Sequence, residues 1–278
     1  MRLVQAARRA WRWSGLNSSL GRASAFAGSG RFFGCNDSGM TLDESTIALS
    51  ARLSNRAAGL LTATFFGISW PVSISGPAAV VASLILGFAA GSVPFGYLAG
   101  LANRKDLRKL GSGNIGFTNV YRTIGLGWAI PVLVLDIAKG MAPVALAGRL
   151  GLAPALVGAA AVLGHVFTPW LGFQGGKGVA TTIGVSALLC PRSLAIGLGI
   201  YLLVLLLSGF VSLSSLVFGL SLPALTALLY RSTTLTVFTA IVCLVILARH
   251  RTNIVRLVRR TEPRFGLWLK VFRRQRAI

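Results

Sequence analysis

The sequence predicts an all-α integral membrane protein: a bundle of about seven transmembrane helices with re-entrant or loop motifs at its cytoplasmic face. Of its 278 residues, 54% are hydrophobic and only 12% are charged, about half the charged share of a typical soluble protein. The chain also contains 33 glycines, which suit closely packed membrane helices. The third observation is a series of uncharged runs, some of them long enough to cross about 30 Å of hydrocarbon.

Seven apolar runs follow one another in the second part of the chain. A helix needs roughly 20 apolar residues to span the hydrocarbon core. Some of the runs are shorter and have Gly or Pro at their edges, so we expect the count to be correct to within one. The runs cover residues 77–101, 124–146, 153–173, 179–190, 194–207, 216–230 and 235–247.

The charges lie at the ends of these runs and indicate an orientation. The net charge is +22, which in a soluble protein would suggest nucleic acid, but the membrane runs argue against that partner. With residue 77 outside, one side receives Arg104, Lys105, Arg108, Lys109, Arg122, Lys177 and the basic C-terminal tail, and the other receives Arg149, Arg192 and Arg231. By the positive-inside rule the first side is cytoplasmic, and the tail is expected to lie against anionic lipid.

Residues 1–76 are a different kind of sequence, rich in Arg, Ser, Ala and Gly, with no acidic residue before Asp37. We expect a basic, disordered extension without a catalytic role, followed by the catalytic domain at 77–278. Two origins fit: a transit segment, or an upstream extension of a reading frame that starts at Met40 or later. The uncharged stretch 57–75 is a candidate eighth crossing, although Pro71 and its marginal length argue against it.

The three cysteines and two histidines have no metal-ligand spacing, so we expect no metal site and no cofactor. The informative segments are four polar ones, at 104–121, 172–182, 208–215 and 249–262. All four fall on the predicted cytoplasmic side, so they can share one site. Polar backbone at a membrane face must be satisfied by protein, water or ligand.

The first polar segment has the composition of an anion-binding loop. Its glycines let successive N–H groups turn toward one point, while hydroxyl, amide and guanidinium groups add donors and charge. An ordinary glycine-rich turn is the alternative. The candidate phosphate-binding residues here are Ser112, Gly113, Asn114, Thr118, Asn119 and Arg122.

The second polar segment offers Gly175, Gly176 and Lys177 at the start of an apolar helix. The nucleotide-binding spacing fails, because Gly178 occupies the Ser/Thr position. A lysine beside a helix N-terminus still suits a phosphate. The alternative is a plain cation at the membrane boundary.

The last two polar segments contribute less by themselves. Serines such as Ser212, in the third segment, are most often helix caps. In the fourth segment, a helical periodicity puts His250, Asn253 and Arg256 on one face.

In order and spacing, these segments resemble the bacterial acyl-phosphate:glycerol-3-phosphate acyltransferases of the PlsY type. The resemblance covers 77–262 and includes 91–97, 106–109, 111–119, Asp136, 139–140, 164–167, 172–179, 212–213 and 249–257. It implies a bundle of seven transmembrane helices in the cell inner membrane, with its site at the cytoplasmic face. It also implies the first step of phospholipid synthesis, in which acyl phosphate and glycerol 3-phosphate give lysophosphatidic acid and phosphate.

The resemblance also assigns roles by motif position. Ser112, Arg122 and Lys177 would hold phosphate, Thr118 would line the site, and Ser212, His250 and Asn253 would face the substrates as catalytic residues. The implied partners are the two small substrates and membrane lipids, and a functional coupling to the enzyme that makes acyl phosphate is compatible with them. The proton acceptor stays open between a substrate phosphate oxygen and His250.

Two departures from the family pattern flank its motifs: Phe117 replaces a usual Ala, and Thr168 intervenes before Pro169. The Phe117 ring would narrow the site, change donor preference or mark an inactive homologue, and we expect an active enzyme. His165 is expected to fix a helix end by hydrogen bonding.

A transporter or channel for a phosphorylated anion is the alternative function. It predicts polar groups deep in the membrane. Only Asp136 and Lys139 lie within a predicted span, where their i, i+3 spacing predicts a structural ion pair.

Overall fold

The computed structural model describes residues 76–266 and Trp268, and all regular structure in this part of the chain is helical. A short 3₁₀ turn, Pro169–Leu171, precedes the loop that leads into α6. The helices are α1 (Pro77–Ser92), α2 (Phe95–Ala102), α3 (Phe117–Ile124), α4 (Leu126–Arg149), α5 (Pro154–Val166), α6 (Val179–Leu189), α7 (Pro191–Ser208), α8 (Val211–Tyr230), α9 (Thr233–Arg249) and α10 (Arg251–Val258).

Five stretches of the described chain are long and apolar enough to cross a membrane: α1 with α2, α4, α5 with its 3₁₀ turn, α7 and α8. The pair α9 and α10, bent by 60°, makes a sixth if it is one span. Helix α6 has only 11 residues, about 16 Å of helix, which is roughly half the hydrocarbon thickness. The all-helical membrane architecture is therefore confirmed, whereas the count of seven crossings is not. The predicted extension and the candidate crossing at 57–75 lie outside the described residues.

Close backbone approach holds α1 against α5. A Cβ at Gly91 would lie 2.0 Å from the Ala161 carbonyl oxygen, and one at Gly164 would lie 2.3 Å from the Phe88 carbonyl oxygen. Membrane helices associate through such small residues because lipid is as apolar as the side chains it would replace. Around this contact, α4 packs on α6, and α7 to α9 complete the bundle.

The first span is broken between α1 and α2 at Val93, which is extended, and Pro94, which is also non-helical. The freed Val93 carbonyl accepts a hydrogen bond from Lys139 Nζ of α4 at 2.6 Å. Lys139 also pairs with Asp136 at 2.7 Å, and both side chains are only 4% exposed. The predicted ion pair is thus present, and its lysine also donates a hydrogen bond to a carbonyl at the break between α1 and α2.

The loop from α2 to α3, the loop before α6, the turn from α7 to α8 and the bend between α9 and α10 meet at one end of the bundle, here called the site end. At the opposite end, the Arg192 N–H donates to the Tyr230 hydroxyl at 2.9 Å. Short as it is, α6 therefore leads the chain away from the site end before α7 returns to it.

Candidate active site

A cavity of about 400 Å³ opens at the site end, and all four predicted polar segments contribute to its wall. It has two parts. Loop residues and helix starts such as Ser112, Arg122 and Lys177 line a polar part, here called the mouth. Residues of α6, α7 and α8 such as Ile183, Leu198 and Phe218 line a largely apolar part, here called the arm. Such a shape suits a molecule with an anionic head and a hydrocarbon chain.

Asn119 organises the first polar segment. Its Oδ1 accepts from the Ser112 N–H at 2.8 Å, and its Nδ2 donates to the carbonyls of Leu107 and Leu110 at 3.1 and 3.0 Å. Gly111 has a φ of +61°, and a Cβ there would lie 2.2 Å from Asn119 Oδ1. Since Asn119 is buried and its side chain is fully hydrogen-bonded, its direct role is to shape the loop rather than to hold an anion.

Helix α3 begins directly after this loop, at Phe117, with no side-chain cap on its first N–H groups. Uncapped N–H groups at a helix start attract anions. Thr118 and Arg122, from the first turns of α3, line the cavity together with Ser112 and Asn114 of the loop. Gly113 does not line it.

The two glycines before Lys177 are held by the end of α5. The Gly175 N–H donates to the Val166 carbonyl at 3.0 Å, and the Gly176 N–H donates to the His165 carbonyl at 3.1 Å. Their own carbonyls accept from Arg249 at 2.9 and 3.2 Å. The expectation that these two amides bind phosphate is therefore corrected: both N–H groups are already used.

The glycines also permit a close approach that a side chain would prevent. A Cβ at Gly176 would lie 2.0 Å from His165 Nε2. This packing delivers Lys177 to the cavity wall, directly before the N-terminus of α6.

Lys177 heads a chain of polar contacts. Its Nζ donates to Asn253 Oδ1 at 2.5 Å, Asn253 Nδ2 donates to Glu262 Oε1 at 2.6 Å, and Arg256 Nε donates to Glu262 Oε2 at 2.6 Å. Burial first, and then the nearby arginines, lower the pKa of Lys177 to about 8, although Glu262 opposes the shift. The ammonium is thus held in position and is close to losing its proton.

Glu262 was missed by the sequence reasoning. Burial alone would raise the pKa of this carboxyl, but hydrogen bonds from Arg256 and Asn253 outweigh it and hold the pKa below its ordinary value. A signal was present, because Glu262 is the only acidic residue after Asp136 in a strongly basic sequence. An isolated carboxylate among many cations is expected to have partners.

Ser212 and His250 present the remaining polar groups. The Ser212 side chain is buried at the start of α8, and its hydroxyl lies close enough to the Glu262 carboxylate to help keep the pKa of that carboxyl low. His250, at the bend between α9 and α10, has its Nδ1 2.8 Å from the Ile246 carbonyl. That contact assigns the proton of the neutral ring to Nδ1 and leaves Nε2 as an acceptor. Both residues line the cavity.

The segment after α10 crosses the mouth. The Phe265 N–H donates to the Gly209 carbonyl at 2.8 Å, and the Phe265 ring lies 5.3 Å from Tyr121 and 6.5 Å from Phe117. Arg122 reaches the Pro263 carbonyl at 3.4 Å. Phe117, the departure from the family pattern, therefore forms part of an aromatic rim and leaves the loop intact.

Two further expectations have mixed outcomes. Nδ1 of the His165 side chain makes no hydrogen bond and lies 3.7 Å from Asp136 Oδ1, so the expected hydrogen bond to a helix end is not made through this atom. The His165 backbone carbonyl makes a hydrogen bond at the end of α5 instead. Thr168, the other departure, donates through Oγ1 to the Ser92 carbonyl at 2.6 Å and ties the end of α5 to α1.

Most of the predicted site residues thus meet in one cavity, whereas Gly113, Gly175 and Gly176 do not line it. The residues that line it are Ser112, Asn114, Thr118, Asn119, Arg122, Lys177, Ser212, His250 and Asn253. No group of three His, Cys, Asp or Glu side chains suited to a metal occurs in residues 76–266.

Comparison with known proteins finds matches over most of the described chain. A sequence profile of the family described as glycerol-3-phosphate acyltransferase matches residues 81–260. A glycerol-3-phosphate acyltransferase of Geobacter sulfurreducens is 42% identical over 178 residues, which is 63% of this chain and 92% of that protein.

Two solved structures are also similar, both of PlsY (YgiH), an integral membrane glycerol 3-phosphate acyltransferase. The glycerol 3-phosphate form is 32% identical with a TM-score of 0.65, and the match covers 70% of this chain and 99% of that one. The lysophosphatidic acid form is 31% identical with a TM-score of 0.62, and the match covers 68% and 96%.

Proposed function

The chain belongs to the glycerol-3-phosphate acyltransferase family, and we propose that it transfers a fatty acyl group from acyl phosphate to glycerol 3-phosphate. The products are 1-acyl-glycerol 3-phosphate and inorganic phosphate. The observation that carries the proposal is the union of a cationic mouth and an apolar arm in one cavity. The reaction needs both, because its donor is a hydrocarbon chain ending in a phosphate and its acceptor is a small phosphate ester.

Arg122 and Lys177 hold the two phosphates, with Ser112 and the uncapped N-termini of α3 and α6 as further donors. The guanidinium supplies a planar fork for phosphate oxygens, and the ammonium supplies a point charge. Two anions repel each other, so cations and backbone dipoles on both sides reduce the cost of bringing them together.

The glycerol hydroxyl oxygen attacks the acyl carbonyl carbon, forming the ester C–O bond while the anhydride C–O bond to phosphate breaks. The electron pair leaves with the phosphate, whose charge is neutralised at the mouth. Because phosphate is a good leaving group once its charge is held, positioning and electrostatics supply much of the rate. No protein nucleophile is needed.

The hydroxyl proton has two acceptors within this geometry: a departing phosphate oxygen and His250 Nε2. The Ser212 hydroxyl lines the cavity beside Glu262 and donates either to that carboxylate or to a substrate oxygen. Asn253 acts through Lys177, since both ends of its amide are engaged. Thr118 lines the mouth beside Arg122.

The donor assay tests the function. Purified protein is mixed with acyl phosphate and labelled glycerol 3-phosphate, and lysophosphatidate is expected without acyl-CoA or acyl carrier protein. Product formed only from a thioester would overturn the assignment. A reactive, poorly soluble donor also favours functional coupling to the enzyme that makes it.

We place the site end at the cytoplasmic face of the inner membrane, because the positive-inside rule puts the basic loops there. Single cysteines at Lys109 and Thr234, in a chain without its native cysteines, provide a matched pair from the two ends. In intact spheroplasts an impermeant thiol reagent is expected to label only the Thr234→Cys chain. Labelling of Lys109→Cys instead would reverse the orientation.

Activity is expected to decline in alkali as Lys177 loses its proton. Its pKa is lowered to about 8, so kcat/KM for glycerol 3-phosphate should be level below that pH and fall about tenfold per pH unit above it. Bound phosphate stabilises the charged lysine. The alkaline limb of the profile, meaning the decline at high pH, should therefore occur at a higher pH in kcat than in kcat/KM. The Lys177→Arg variant should show no alkaline limb in kcat/KM. A wild-type pH profile of kcat/KM that stays flat well above pH 8 would contradict this role of Lys177.

Replacing Glu262 by glutamine is expected to lower kcat/KM by roughly 10- to 100-fold, since hydrogen bonds to charged groups contribute about 1.5–3 kcal/mol. The change keeps the shape but removes a charge that raises the pKa of Lys177. The alkaline limb should therefore move to lower pH. A lower rate with an unmoved limb would mean that Glu262 only stabilises the fold.

The polar residues within the membrane spans argue against the alternative function of a transporter. Within the described residues, the intramembrane Lys139 is paired with Asp136 and with the Val93 carbonyl, and Asp136 belongs to the wall of the cavity itself. A pathway would need polar groups that continue beyond the cavity. Below the cavity lies an apolar cluster that includes Leu194 and Leu222.

A further inference from the structure

The apolar arm of the cavity is built from single faces of its helices. On α7 the lining residues are Leu198, Tyr201 and Leu205, at helical spacings of three and four. On α8 they continue from Ser212 through Ser215 to Phe218. Each face thus runs inward from the polar mouth, as a binding site for an extended chain requires.

The arm ends at Phe218. The ring of this residue touches the cavity, yet it is fully shielded from water at 0% exposure. One turn farther along α8, Leu222 is also fully buried and no longer lines the cavity. Leu222 and Leu194 form the packed cluster beneath the ring. The closed end therefore lies about 10 Å from the first residue of α8.

Two neighbouring residues of α7 position the Phe218 ring. Tyr201 meets it edge to face, with centroids 6.5 Å apart and planes at 90°. One turn earlier on the same helix, a Cβ at Gly197 would lie 3.1 and 3.2 Å from the ring carbons Cδ2 and Cε2. Packed interiors resist deformation, so the ring closes the arm in the wild-type packing.

We propose that Phe218 sets the longest acyl chain that the enzyme accepts with full efficiency. This inference rests on the proposed function and adds its specificity determinant. A chain whose methyl end reaches the ring is buried completely, whereas a longer chain must fold back or leave methylenes outside the arm. A misfit of one methylene in a hydrophobic pocket changes kcat/KM by about tenfold or more.

Shortening the side chain should deepen the arm. Phe218→Leu and Phe218→Ala are compared with wild type on saturated acyl phosphates from octanoyl to stearoyl, each at the same glycerol 3-phosphate concentration. The ratio of kcat/KM for the longest to the shortest donor is expected to rise by about tenfold or more. The matched control is Phe238→Leu, which removes the same volume from a buried position that does not line the cavity; its ratio should stay that of wild type.

The opposite shift is expected from Gly197→Ala. The new methyl group presses on the ring from behind, and the cavity is the free space into which the ring can move. The preference should move toward shorter donors. Gly199→Ala, on the same helix with nothing within 4 Å of the added Cβ, is the matched control and should leave the profile unchanged.

The possible outcomes distinguish failure of this inference from failure of the proposed function. If wild type transfers no acyl group from any acyl phosphate, the proposed function fails. If wild type is active and both Phe218→Leu and Gly197→Ala keep its chain-length profile, the function stands and the role of Phe218 is overturned. If Phe218→Ala fails to fold, Phe218→Leu and Gly197→Ala still test the role of Phe218.

Discussion

Lys177→Met is expected to reduce acyl transfer by about 1,000-fold, the upper part of the range for removal of one electrostatic donor from an active site. Methionine keeps much of the length of the lysine side chain but cannot hold a phosphate. Loss of the Lys177 ammonium also leaves Asn253 Oδ1 without the hydrogen-bond donor that lies 2.5 Å away in the wild type. The measurement is the initial rate of labelled lysophosphatidate formation in vesicles that contain equal amounts of folded protein.

Lys109→Met serves as the control, because Lys109 is exposed near the same end of the bundle and does not line the cavity. Its rate should remain within about twofold of wild type, as is usual for surface changes. If Lys177→Met kept a comparable rate, the lysine would be a plain boundary cation. In that case the phosphate site would have to be sought elsewhere.

Arg122→Ala is expected to cost about 100- to 1,000-fold in kcat/KM. Arg122 lines the mouth from α3, opposite the Lys177 chain, and its guanidinium is steadied by the Pro263 carbonyl at 3.4 Å. Loss of this cation exposes each substrate phosphate to the charge of the other. Arg122→Lys should recover little, because an ammonium cannot form the two parallel bonds of a guanidinium.

Arg108→Ala is the matched arginine control. Arg108 pairs with Asp106 on the surface at 2.9 Å and does not contribute to the cavity wall. Exposed pairs of this kind contribute little, so activity and thermal stability should be close to those of wild type. A loss in Arg108→Ala as large as that in Arg122→Ala would show that overall positive charge, rather than position, drives the effect.

The meeting of the four polar segments could be predicted from the sequence for a physical reason. A bilayer confines polar backbone to its two faces, so alternating crossings assign each loop to one side once the charges are counted. Ser112, Arg122, Lys177 and His250 could therefore be placed together before any coordinates were known. Few soluble folds constrain distant loops so strongly.

The partners of individual polar groups could not be predicted in this way. Asn119, Gly175 and Gly176 belong to a loop pattern that suits anions, yet their hydrogen bonds are made to neighbouring backbone. Glu262 lies outside any helix and binds residues of α10 through a turn. Such contacts depend on how α5 and α10 pack, and sequence periodicity carries no signal for that.

The count of seven crossings is not confirmed, for a related reason. Helix α6 is apolar but has 11 residues, and its sequence gives no measure of how far neighbouring helices shield it from lipid. Length and composition alone give five spans, or six with the bent pair of α9 and α10. Hydropathy reports which residues avoid water, and it leaves open whether they meet lipid or protein.

The hydrogen bond from Lys139 to the Val93 carbonyl has a consequence for biogenesis. Until α4 enters the bilayer, the only donor to this carbonyl among the described residues of α1 and α2 is the Phe95 N–H at 3.2 Å, and backbone groups that are poorly satisfied in hydrocarbon are costly. The newly made span of α1 and α2 should therefore remain near the aqueous channel of the insertion machinery until α4 arrives. These two spans then enter the lipid together as one helical hairpin, which the hydrogen bond from Lys139 holds together.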